Sequence, residues 1–191
     1  VLIPRPETEV LVDAALEGVD EAASRGSEDA VHVLEIGTGT GCIALSIASE
    51  RPGTQVVATD LSPRAIELAL RNREALGLED AVSIVECDLA SGVDQELMGT
   101  FSVLVSNPPY IPTQVLREEV PAEVADNEPE LALDGGPDGL DVFRRILELA
   151  PSALAPGGVL AVELFEGSLE QAAEPHHAVE CARDGNDAAD R

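Results

Sequence analysis

The chain is predicted to be an α/β protein built on a doubly wound, mostly parallel sheet. Three observations point there. From Val31 onward, short Val/Ile/Leu-rich runs alternate with stretches whose apolar residues recur at helical spacing. Gly, Pro and Ser fall between one pattern and the next. The residues able to do chemistry (Gly37-x-Gly39-x-Gly41, Asp60, Asp88 and Asn107) each end a different strand candidate. A parallel sheet with right-handed crossovers gathers such strand ends on one edge, where ligands bind.

Taken in order, Val1 to Glu9 begins as an extended, proline-punctuated segment, and a helix fits from about Glu7 to Ala23 with Pro6 near its start. Ser24 to Ala30 reads as an acidic loop. Val31–Ile36 is a strand, broken by the glycine run and followed by an apolar helix, Cys42–Glu50. Gln55–Thr59 is the second strand, ending at Asp60. Ser62-Pro63 then supplies a cap and a first-turn proline for a helix that stops at Gly77. Val82–Cys87 and Phe101–Ser106 are strands three and four. Ile111 to about Leu140 is expected to be irregular. A helix over Asp141–Leu154, a Pro156-Gly157-Gly158 turn and a fifth strand, Val159–Leu164, complete the order. Residues 1–30 are expected to form an N-terminal segment with a linker helix, and residues 31–191 the catalytic domain.

Composition narrows the function. The 191 residues, 45% of them hydrophobic, are ample for a buried core, and only 2% are aromatic, so that core must be aliphatic. No apolar run approaches a membrane span and no signal peptide is evident, so no membrane partner and a cytoplasmic location are expected. The net charge is −26, and all 11 cations are arginine. Such a surface repels phosphate backbones, and no direct nucleic-acid contact is expected, although a salty cytoplasm would screen the repulsion. Cys42, Cys87 and Cys181 are scattered, which argues against a disulfide framework and against zinc. No metal is expected.

The glycine run lets backbone approach a ligand and opens a helix whose N–H groups face it. Glu35 is an acid inside an apolar strand, costly to bury unless a donor-rich partner meets it. Asp60 stands where a carboxylate accepts both hydroxyls of a ribose, roughly 20 residues beyond the glycine run. Asp88-Leu89, at the end of strand three, can meet an adenine edge and face. These features admit either a dinucleotide or S-adenosylmethionine. Ser106-Asn107-Pro108-Pro109-Tyr110 separates the two. Consecutive prolines stiffen the loop and remove two N–H donors, so the loop offers acceptors and a ring face, a surface suited to a planar amino group.

Glu35-Ile36-Gly37-Thr38-Gly39-Thr40-Gly41, with Asp60 and Asn107-Pro108-Pro109-Tyr110, resembles the class I S-adenosylmethionine-dependent methyltransferases. Two flanking stretches narrow the likeness: Ile3-Pro4-Arg5-Pro6-Glu7-Thr8-Glu9, and Glu128-Pro129-Glu130-Leu131-Ala132-Leu133-Asp134-Gly135-Gly136-x-Asp138-Gly139-Leu140. Both are similar to the peptide chain release factor glutamine methyltransferases. The resemblance runs from Val1 to about Glu163. It implies a Rossmann-like fold and methyl transfer to the side-chain amide nitrogen of the glutamine in a release factor's Gly-Gly-Gln motif, with release factors as protein partners. It also implies that Glu35, Gly37, Thr38, Gly39, Thr40 and Gly41 hold the methionine end of the cofactor. Asp60 takes the ribose and Asp88 with Leu89 the adenine. Asn107, which also borders the cofactor, Pro108, Pro109 and Tyr110 bind the substrate, with Asn107, Pro108 and Tyr110 catalytic. The segment from Pro4 to Glu9 and the loop from Glu128 to Leu140 are expected to close over the substrate.

The family's helical N-terminal domain has no counterpart in this sequence, and the pattern decays after Glu163, with only a faint echo of the family's final hairpin from Arg183 to Arg191. The chain is therefore expected to be a fragment. Two other readings stay open: a DNA adenine or rRNA guanine amino-methyltransferase, since Asn-Pro-Pro-Tyr occurs there too, and a fragment that binds cofactor without turnover.

Overall fold

The computed structural model describes residues 5–25, 30–118, 132–168 and 172. Val1 to Pro4, Glu128 to Leu131, and the tail carrying His176, His177, Cys181 and the hairpin echo lie outside the described residues.

The element order is α1 (Thr8–Ser24), β1 (His32–Ile36), α2 (Cys42–Glu50), β2 (Gln55–Asp60), α3 (Pro63–Leu76), β3 (Val82–Glu86), β4 (Phe101–Ser106), α4 (Thr113–Glu118), α5 (Asp141–Ala153) and β5 (Leu154–Val162). The five strands form one all-parallel sheet in the order β3-β2-β1-β4-β5. The α/β expectation therefore holds. After β3 the chain crosses back over β2 and β1 to lay down β4. The switch point thus falls between β1 and β4, where the connections leave in opposite directions and open a crevice at the strand ends. The glycine run leaves β1 and Asn107 leaves β4, so both border that crevice.

Strand alternation sets the two core layers. Val33, Val56, Ala58, Val103 and Val105 face α1 and α2, joining Leu11, Ala15, Leu16, Val19, Ile43, Ala44 and Ile47. Leu34, Ile36 and Leu104 face the other way, onto Ile146, Ala150 and Ala153 of α5 and onto Ala90 and Val93. Helix α1 lies so close to the sheet that a Cβ added at Gly18 would sit 2.9 Å from Cγ2 of Val103.

Three sequence expectations need correction. The fifth strand begins at Leu154 and ends at Val162, where Val159–Leu164 was expected. Leu154 pairs with Phe101 and Val159 with Val103, so Ala155-Pro156-Gly157-Gly158 stand opposite Ser102 as an irregularity within the strand. The turn chemistry is real (Gly157 has φ +77°), but flanking ladder bonds keep the chain in the sheet, and Arg25 clamps the bulge by donating to the Gly157 carbonyl at 2.7 Å. The third strand closes at Glu86, one residue short of Cys87. Finally, the stretch expected to be irregular after Ile111 holds the short helix α4, and Ile111 bridges Asp134 in parallel.

Candidate active site

At the β1–α2 junction, Gly37 and Thr38 donate to the Thr59 carbonyl at 2.9 and 2.8 Å, and Gly41 donates to Thr38 at 2.8 Å. Gly37 (φ +76°) has nothing within 4 Å of where a Cβ would stand, and Gly41 (φ +84°) would drive one to 3.0 Å from Leu45. The first glycine leaves open room for a ligand and the second lets the loop close onto α2. Asn72 of α3 braces the loop from behind, donating to the Thr40 carbonyl at 2.8 Å.

Glu35 is fully buried beneath this loop. Its Oε2 accepts from the Thr38 hydroxyl at 2.5 Å and from the Ala44 amide of α2 at 3.2 Å, while Oε1 is buried with no partner. Burial outweighs those two bonds and, with the Asp60 charge adding to it, pushes the carboxyl up to about 7.

Asp60 ends β2 beside the loop. Its Oδ2 accepts from the Gly39 amide and its Oδ1 from the Ser62 amide, both at 2.8 Å. Each oxygen keeps a lone pair for a hydroxyl donor. At the end of β3, Asp88 Oδ2 accepts from Arg145 of α5 at 2.7 Å, which fixes the carboxylate and leaves Oδ1 for a ligand. Leu89 adopts φ +50°, alone among the described non-glycine residues. Such backbone strain gathers at ligand sites.

Asn107 follows β4. Its Nδ2 donates to the Thr8 hydroxyl in the first turn of α1 at 3.3 Å, and its Oδ1 is buried without a partner. Pro108 is buried, and Pro109 and Tyr110 are half-buried. The Tyr110 phenol is pushed up by burial first and then by the nearby Glu163 carboxylate, with Arg5 opposing and Glu7 adding. Thr8 thus reaches the Asn107–Tyr110 loop from α1, and the charges of Arg5 and Glu7 act on Tyr110.

The described part of the second flanking stretch lies behind the loop as a buttress. Ile111 donates to the Leu133 carbonyl at 3.0 Å, Gly135 to Ile111 and Thr113 to Gly136 at 2.9 Å. A Cβ on Gly135 would lie 2.7 Å from the Pro109 carbonyl oxygen, and one on Gly139 would lie 2.4 Å from that of Tyr110. Gly135 and Gly139 are glycines because the Pro109-Tyr110 backbone passes through the space a side chain would need there.

The profile of the Methyltransferase small domain family matches residues 21–136. The chain belongs to that family. Among curated relatives, this methyltransferase domain is 43% identical over 172 residues to a release factor glutamine methyltransferase of Rhodospirillum rubrum, covering 90% of this chain and 49% of that protein. It is 46% identical over 170 residues to the one of Geobacter sulfurreducens, covering 89% and 55%. The chain thus spans about half the length of the curated relatives it matches. Two solved structures share its fold. One is a SAM dependent methyltransferase of Agrobacterium tumefaciens, 18% identical with TM-score 0.56, covering 85% of this chain and 46% of that one. The other is a ribosomal protein L11 methylase of Lactobacillus delbrueckii subsp. bulgaricus, 20% identical with TM-score 0.54, covering 89% and 66%.

The methyltransferase domain brings Glu35, Thr38, Gly39 and Asp60 together where β1 and β2 end, through the Thr38–Glu35 and Gly39–Asp60 bonds, and sets Asn107 to Tyr110 on the loop that leaves β4. Sequence reasoning passed over Asn72, the Thr8–Asn107 bond and Glu163. For Glu163 a signal was present: like Glu35, it is an acid placed where an apolar strand meets the ligand edge. No helix among the described residues is long and apolar enough to cross a membrane, and no cluster of potential metal ligands occurs among them.

Proposed function

We propose that this domain methylates the side-chain amide nitrogen of the glutamine in the Gly-Gly-Gln motif of peptide chain release factors, using S-adenosylmethionine, in the cytoplasm. The observation that carries the reading is Asn107 Oδ1, a buried acceptor without a partner on the loop that leaves the switch point. A buried orphan acceptor is costly and calls for a donor. The names of the relatives and the two flanking stretches support glutamine as the source of that donor.

The residues at β1–β3 suit the cofactor. Glu35 Oε1 is an orphan acceptor, Asp60 has lone pairs spare for ribose hydroxyls, and the space over Gly37 is open. In this reading Glu35 and the run Gly37 to Gly41 hold the methionine end, with Asn107 at its border. Asp60 holds the ribose, and Asp88 with Leu89 the adenine. When bound, S-adenosylmethionine supplies a methyl group made electrophilic by its sulfonium. In this reading residues 31–191 form the catalytic unit, and α1 packs against its sheet.

An amide nitrogen is a poor nucleophile because its lone pair is shared with the carbonyl. Asn107 Oδ1 and the Pro108 carbonyl accept its two N–H bonds and aim the lone pair out of the amide plane. They also stabilise the positive charge that grows on nitrogen as the new N–C bond forms. That charge makes the N–H acidic, so the proton leaves without a strong base. Tyr110 stacks on the flat amide, and Pro109 keeps the loop rigid and without an N–H donor.

The test is incubation with methyl-labelled cofactor and a release factor, followed by mapping of the label. Label on the Gly-Gly-Gln glutamine is the expected result. Label entering only DNA or RNA would overturn the substrate assignment.

A further inference from the structure

We infer that Glu163 is a specificity-determining residue, whose fixed negative charge beside Asn107 makes the site accept a neutral amide and refuse the nearly isosteric carboxylate. The inference rests on the proposed function and names a discrimination which that reading leaves unexplained.

The backbone sets Glu163 in place. Ser106 pairs with Val162 across β4 and β5, and the Glu163 amide donates to the Ser106 carbonyl at 3.0 Å. Glu163 therefore leaves β5 side by side with Asn107 leaving β4. Its Oε2 is buried without a partner, and its carboxylate lies near enough to Tyr110 for its charge to push the phenol up. Burial first, and then the Glu163 carboxylate, push the Tyr110 phenol up, so Tyr110 keeps its proton.

Glutamine and glutamate side chains have the same length and nearly the same shape, so packing cannot separate them. Asn107 does so only weakly. An amide can turn over and present Nδ2 to a carboxylate, and among the described residues a single 3.3 Å bond to the Thr8 hydroxyl is all that holds it against that. The two prolines supply no N–H, but their carbonyls repel an anion only as dipoles. Glu163 has no donor face at all. An anion next to the reacting group opposes a second carboxylate and favours both a neutral amide and the positive charge that develops on it.

The experiment uses two synthetic peptides of one sequence, carrying Gly-Gly-Gln or Gly-Gly-Glu, as competitors of release-factor methylation. The wild type is expected to bind the glutamate peptide at least about 100-fold more weakly than the glutamine peptide. Glu163→Gln, which keeps shape and hydrogen-bonding capacity, should narrow that ratio about tenfold or more, with cofactor affinity within about twofold. Tyr110→Phe keeps the charge and should keep most of the ratio. Should the glutamine variant fail to bind cofactor, Glu163→Ala reads the same ratio. A ratio unchanged by loss of the charge, or a wild type that binds both peptides equally, overturns the inference and leaves the methylation reading standing. A wild type that binds cofactor yet methylates neither release factor nor peptide overturns both.

Discussion

Thr8, in the first turn of α1, accepts a hydrogen bond from Nδ2 of Asn107 at 3.3 Å, which leaves Oδ1 as the buried acceptor without a partner. The two residues lie 99 positions apart in sequence. Removing the Thr8 hydroxyl frees the amide to turn over, which would present a donor where an acceptor is needed. Thr8→Val should lower kcat about tenfold with cofactor affinity unchanged, and Thr8→Ser should restore most of it. Asn107→Ala should cost about 100-fold or more in kcat, again with cofactor binding within a few-fold. Equal loss of binding and turnover in Asn107→Ala would remove the acceptor role.

Asp60 serves two purposes at once, since it accepts from Gly39 and Ser62 amides while offering its remaining lone pairs to the crevice. Asp60→Ala should therefore raise the cofactor dissociation constant by about 10- to 100-fold, the weight of one or two hydrogen bonds to a charged group. Calorimetric titration with the cofactor measures this. An unchanged constant would exclude the ribose contact.

Glu35 makes stability depend on pH in an unusual direction for an acid. Its carboxyl is raised from 4.5 to about 7 by burial, so between those values the folded chain holds a proton that the unfolded chain has released. Stability from this group is therefore full below pH 4.5 and lost as pH rises through 7, a difference of about 3 kcal/mol in all. Thermal unfolding of wild type and Glu35→Gln across pH 5 to 8 isolates it. The wild-type melting temperature should fall relative to the variant's as pH rises, and parallel curves would contradict the assignment.

Gly18 is the point of closest approach between α1 and the sheet. Gly18→Leu would force its side chain into Val103 and Val159, so the variant should lose about 1–3 kcal/mol by overpacking. Denaturant unfolding checks this, and a neutral result would mean that α1 packs further from β4 than 2.9 Å implies.

Much of this molecule is legible in one dimension because its signals are local. Strand β1, helices α2 and α3 and the glycine loop follow from period, caps and φ preferences, which act within a few residues. Strand β5 was misjudged for the same reason. Pro156-Gly157-Gly158 carries the local chemistry of a turn, and only pairing with Phe101 and Val103 on β4 absorbs it into the sheet. The same limit hid Glu163, whose role depends on a neighbour strand setting its register against Ser106.

The amino-acid sequence by itself determined the α/β class, the strand-end placement of Gly37 to Gly41, Asp60, Asp88 and Asn107, the position of Glu35 inside the first strand, and the acceptor character of Asn107-Pro108-Pro109-Tyr110. These depend on residue type and on position within one element. Tertiary structure alone decided which end of the Asn107 amide is engaged and which is left without a partner, because that rests on the Thr8 hydroxyl from a distant helix. It also set Glu35 beneath the loop with one oxygen unpaired, placed Glu163 against Tyr110, and made Gly135 and Gly139 a bed for the Pro-Pro-Tyr backbone. The physical reason is common to all of them: orientation, desolvation and close approach are properties of pairs, and each of these pairs meets only when the sheet is assembled.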